Sequence, residues 1–170
     1  RGSVGSDPTP VVVAPSGLSV IVAYFTSGTC SVVAIDADGG LGAVTDTVVR
    51  TGSGPNVRQQ SSHAHGAAFA PGTNLMATAN LGTDQVELFR LVAGRLVSTA
   101  SVSIAPGGGP RHVVFSADGT RLYIVNELTA NIIVYAVNPV SGTFGNFLQT
   151  IALMPPSFVA SYPNQLSGAE

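Results

Sequence analysis

At 170 residues the chain has room for one or two ordinary domains, and it carries 45% hydrophobic but only 9% charged residues, where about 25% charged is usual. A net charge of −2 and a pI near 5.8 leave no basic footprint for nucleic acid or an anionic membrane surface. All seven basic residues are arginine, which excludes Schiff-base and P-loop lysine chemistry from this segment, and the single Cys30 excludes an internal disulfide and a cysteine metal cluster.

The opening Arg1-Gly2-Ser3-Val4-Gly5-Ser6 reads as a loop segment rather than a targeting signal. Short β-branched runs then alternate with Gly, Pro, Asn, Asp and Ser clusters, which predicts an all-β chain. The first group of strands falls near 11–14, 19–25, 29–35 and 42–49, with Ala14-Pro15-Ser16-Gly17 as its first turn. Its apolar run around Val20–Phe25 is too short to cross a membrane. Asp36-Ala37-Asp38-Gly39 begins like a calcium loop but lacks the later glutamate, so a hairpin turn is expected.

A second group follows near 64–70, 75–80, 85–91 and 95–104, and a third near 111–116, 121–127, 131–137 and 143–151. Their first turns are Ala70-Pro71-Gly72-Thr73 and Ser116-Ala117-Asp118-Gly119. Pro15 to Pro71 is 56 residues, and Pro71 to Ala117 is 46. A repeat of that length holding four strands is a β-propeller blade. The expected fold is therefore an all-β propeller of four-stranded antiparallel blades, with about three blades here, at 8–50, 62–104 and 110–152. The stretch 153–170, with Pro155, Pro156 and Pro163, reads as a connecting loop. Closed rings need about four to eight blades, so the remaining blades are expected from further sequence or a second polypeptide.

The polar residues gather by topology. The segment leading into a blade's first strand and the loop joining its second and third strands lie on one rim. His63, His65, Arg111, His112 and Glu127 all fall there, on two adjacent blades. Histidine exchanges protons near neutral pH, and arginine clamps a carboxylate or phosphate bidentately. The same residues also read as rim histidines bonded to loop backbone and a structural Arg–Glu pair. A zinc site from His63 and His65 lacks an evident third ligand beyond Glu127. Gly107-Gly108-Gly109-Pro110 precedes a strand, not a helix, so it is no ordinary phosphate cradle. Tyr24 and Phe25 take the place of Glu127 in the first blade and are expected to pack. No serine sits in a Gly-x-Ser-x-Gly elbow.

Taken in order, Gly52-Ser53-Gly54-Pro55, Arg58-Gln59, His63-Ala64-His65, the Leu-Gly-Thr-Asp run ending at Asp84, Gly109-Pro110-Arg111-His112 and Asn126-Glu127-Leu128 resemble the lactonase family of seven-bladed propellers. That family includes bacterial 6-phosphogluconolactonases and fungal 3-carboxy-cis,cis-muconate lactonizing enzymes. The resemblance runs from about Pro8 to Glu170, roughly half of a family member, and ends where a further blade with another site arginine is expected.

It implies cofactor-independent chemistry on a small acidic lactone or sugar acid, while the charge and histidine spacing read above point to no nucleic acid, membrane or metal partner. It places the catalytic roles on His65, Glu127 and Arg111. His65 and Glu127 transfer protons, in an order left open, and Arg111 binds the substrate anion and developing oxyanion. His63, His112 and Arg58 are the expected substrate-binding residues. Asn80-Leu81-Gly82 departs from the family's usual Asp-Leu-Gly. A non-catalytic propeller binding a sugar acid or protein partner, or an inactive fragment, is the alternative. Compartment is left open between cytoplasmic and secreted.

Overall fold

The computed structural model describes residues 4–155 and 157, so most of the connecting loop expected at 153–170 lies outside the described residues. Twelve strands form three four-stranded antiparallel sheets, each in simple chain order. The first holds β1 (Pro8–Val13), β2 (Ser19–Tyr24), β3 (Thr29–Ile35) and β4 (Leu41–Val49). The second holds β5 (Ala64–Phe69), β6 (Leu75–Asn80), β7 (Gln85–Val92) and β8 (Arg95–Ser103). The third holds β9 (Pro110–Phe115), β10 (Arg121–Asn126), β11 (Asn131–Asn138) and β12 (Thr143–Ala152). Between the strands, a 3-10 turn at Leu81–Thr83 joins β6 to β7.

Each meander closes through turns that require a left-handed residue. The turn after the first strand uses Gly17, Gly72 or Gly119, at φ 71°, 66° and 70°. This is the Pro-Gly and Asp-Gly signal of the repeat, met by the residue with no Cβ penalty. The loop between second and third strands ends in a left-handed residue as well, which is Gly28, Asp84 or Ala130. Asp36–Gly40 is a hairpin turn, with Gly39 N–H on Asp36 O and Asp36 N–H on Gly40 O.

The core lies between sheets, because side chains alternate across a strand and the second sheet has a neighbour on either face. In β6 every residue is buried. Leu75, Ala77 and Ala79 face the third sheet, beside Leu88, Leu122 and Ile124. Met76 faces the first, beside Ile21, Val32 and Phe89. Each fully buried side chain of this kind stabilises the fold by about 1.5–3 kcal/mol before entropy is counted. First strands stand side by side: a Cβ on Gly66 of β5 would lie 2.3 Å from the Arg111 carbonyl oxygen of β9. Only glycine fits there. The fourth strands take the outside, and β12 is almost wholly exposed, with Phe147, Leu148 and Ile151 in solvent.

Candidate functional site

The inner strands do not run in plain register. Ala64 pairs with Asn80 and Gly66 with Ala79, which leaves His65 as an extra residue on β5. His112 pairs with Val125 and Pro110 with Asn126, which leaves Arg111 extra on β9. β1 slips in the same place, between Pro8 and Val11, so it begins three residues before the first expected strand. A β-bulge re-aims the side chain of the added residue. Three successive blades thus turn their bulges toward one place: Thr9, Pro10, His65, Arg111 and His112 line an open cleft of about 240 Å³. Thr9 Oγ1 donates to the His65 carbonyl at 3.1 Å and ties the first blade to the second.

Beside this cleft, Glu127 is buried and takes one guanidinium on each oxygen. Arg111 Nε lies 3.1 Å from Oε2, and Arg58 Nη1 contacts Oε1. Arg111 is mostly enclosed, whereas the Arg58 side chain is 48% exposed and can reach a ligand in solvent. Arg111 Nη1 also lies 3.3 Å from His112 Nε2, which therefore accepts. The His65 and His112 rings meet edge to face at 5.3 Å.

His65 is 9% exposed, and its Nδ1 is buried without a hydrogen-bond partner. Burial first, and then the Arg111 guanidinium and His112, push its pKa down to about 4. It is therefore neutral at neutral pH, since removal from water and a nearby cation both disfavour the imidazolium.

His63 does not join this group. Its ring stacks on Phe25 at 4.3 Å, and its Nδ1 lies 3.0 Å from the Phe25 carbonyl oxygen. It faces a neighbouring cleft of about 320 Å³, lined by Phe25, Val57, Arg58, Gln60, Ser61 and His63. Phe25 also meets the His65 ring edge at 5.7 Å, so one aromatic separates the two histidines. Among the described residues no group of three His, Cys, Asp or Glu gathers to hold a metal ion. Arg58 borders both clefts, paired with Glu127 beside the first and lining the second.

Several contributors carry no sequence signal beyond their place in a motif. Asn80 Oδ1 accepts the His63 N–H at 2.9 Å, and its Nδ2 donates to Ser62 Oγ at 2.7 Å, so the amide anchors the segment leading into β5. The glycine-rich loop before β9 is indeed no open anion cradle. Gly107 N–H and Gly109 N–H are both taken by the Asp84 carboxylate, at 2.7 and 2.8 Å.

A protein-family model described as "Lactonase, 7-bladed beta-propeller" matches residues 1–169. The 6-phosphogluconolactonase of Bacillus subtilis is 33% identical over 154 residues, covering 91% of this chain and 44% of that protein. Among solved structures, a putative 6-phosphogluconolactonase from Bacteroides fragilis superposes with a TM-score of 0.80 at 28% identity, over 89% of this chain and 44% of that one. A periplasmic gluconolactonase from Pseudomonas aeruginosa superposes at 0.78 and 31% identity, again over 89% and 44%. The chain spans less than half the length of these relatives.

Proposed function

Since the chain belongs to the seven-bladed β-propeller lactonase family, we propose that the protein hydrolyses the ring of a small acidic sugar lactone at the cleft between His65, Arg111 and His112. In that reaction water adds to the acyl carbon, the ring acyl–oxygen bond breaks, and the ring oxygen takes a proton to give a hydroxy acid. Neutral His65 is free to take the proton from the attacking water. Arg111 offers its guanidinium to the oxyanion that develops on the carbonyl, the interaction that contributes most in acyl transfer. Arg58, with His63 and His112 at the flanks, receives the substrate's anionic group. When Arg58 moves to substrate, Glu127 Oε1 is released as the second proton-handling group.

The observation that carries this reading is the convergence of three inner-strand bulges, which puts a neutral imidazole beside an Arg111–Glu127–Arg58 cluster. The names of the similar proteins suggest 6-phosphogluconolactone as first substrate, and lactonization of a carboxymuconate-type acid is the finer alternative. The test is acid release at constant pH from phosphorylated and plain gluconolactone by the intact protein. His65→Ala and Arg111→Ala should each lower turnover by about 100-fold or more while leaving the circular dichroism unchanged. Unchanged rates in both would overturn these roles. Sugar-acid binding without any turnover would instead mark a non-catalytic propeller.

A further inference from the structure

Behind the cleft lies a buried polar pair to which the functions above assign no part. Gln59 is fully buried, and its Nε2 donates to Asp84 Oδ1 and to the Leu81 carbonyl, both at 2.7 Å. Its Oε1 accepts the Asn56 N–H at 3.1 Å, closing the loop that carries Arg58. Asp84 Oδ1 also accepts Gly109 N–H, and Oδ2 accepts Gly107 N–H. Gly109 in turn accepts the Glu127 N–H on its carbonyl at 2.8 Å and stands two residues before Arg111.

We propose that the Gln59–Asp84 pair is a positioning unit: one carboxylate–amide contact sets Arg58, Arg111 and Glu127 relative to one another. Arg58 adjoins Gln59, Arg111 follows the loop held through Gly107 and Gly109, and Glu127 hangs from Gly109. The repeat supplies the control. Asp84 occupies the left-handed slot before the third strand at φ 54°, and the same slot in the other sheets holds Gly28 at 62° and Ala130 at 45°. The turn therefore does not need a carboxylate. Only in the middle blade does the slot carry one, and there it reaches across to the loop of the next blade. Buried polar networks of this kind fix geometry because each unmet donor is costly.

The inference rests on the proposed function for the importance of the three residues, but its test does not. Asp84→Asn keeps a residue comfortable at positive φ and presents an amide N–H where a glycine N–H needs an acceptor. Arg111 helps hold the His65 pKa down, so the imidazole titration, followed by NMR, reports where that guanidinium lies. In Asp84→Asn the His65 titration should rise by roughly half a unit or more. In the intact protein kcat should fall about tenfold with KM changed less, since a displaced Arg111 loses an interaction made in the transition state, and this effect should shrink in an Arg111→Ala background, as coupled residues require.

An unmoved His65 titration with a lowered denaturation midpoint would overturn the proposal and leave Asp84 a fold determinant. Absence of turnover in the unaltered protein would refute the lactonase reading, while the titration would still decide this one. If Asp84→Asn does not fold, Gln59→Met serves with the same readouts; if neither folds, the proposal falls.

Discussion

Lowering the pH from above 6.5 to about 4 should cost the fold stability through one residue, His65, and the structure sets the size of the loss. Unfolded, the imidazole takes a proton near 6.5; folded, burial and the neighbouring Arg111 hold it to about 4. Between these values the unfolded chain binds more protons than the folded one, so stability rises with pH across the window. It is fully present above 6.5, is lost as pH falls toward 4, and levels below that. At 1.36 kcal/mol per unit, the whole span amounts to about 3 kcal/mol, with a steepest slope of about 1.4 kcal/mol per pH unit. Other groups titrate too, so the assay is a difference. Urea unfolding of the unaltered protein and of His65→Gln is followed in small pH steps, with attention to a constant m value. The gap between the two stability curves should narrow by about 3 kcal/mol as pH falls through the window. Parallel curves would refute the argument that His65 is held neutral by its surroundings.

Gly66→Ala should destabilise the fold by about 2–4 kcal/mol, because the new Cβ meets the Arg111 backbone oxygen, which cannot swing away. A loss under about 1 kcal/mol in chemical denaturation would mean that β5 and β9 are less closely packed than described. Cys30 is buried, and its thiol is pushed up to about 12, chiefly by that burial and then by Glu87. It should stay unreactive toward an aromatic disulfide at neutral pH until urea unfolds the chain. Reaction in the folded state at a free thiol's rate would contradict its placement.

The repeat was legible because its punctuation is chemical. Pro-Gly and Asp-Gly turns recur with β-branched runs between them, and apart from β1, which begins three residues early, the strands form within a residue of where that pattern places them. The rim was legible as well, since a meander puts alternate connections on one side whatever the side chains. The bulges were not. Nothing in Ala64-His65-Gly66 or Pro110-Arg111-His112 distinguishes an added residue from an ordinary paired one, because the slip is a property of the pairing with the second strand. For the same reason His63 and His65 look equivalent in sequence. Yet the bulge sends His65 into the Arg111 cleft, while His63, one step before the strand, lies flat on Phe25. Gln59 and Asp84 stood in recognisable motifs, but their partnership spans 25 positions and two loops. Only the folded chain brings them together.

The outermost strand of the third sheet has a consequence for handling the protein. The corresponding strands of the first and second sheets each contain a charged residue, Asp46 and Arg95, whereas β12 runs from Thr143 to Ala152 without any. It also has no proline, and exposes Phe147, Leu148 and Ile151. Such a strand offers its unpaired backbone groups to any other extended segment and repels none, the combination that favours amyloid-like addition. Aggregation of this chain would therefore be seeded at that edge, and a single lysine there is the simplest gatekeeper.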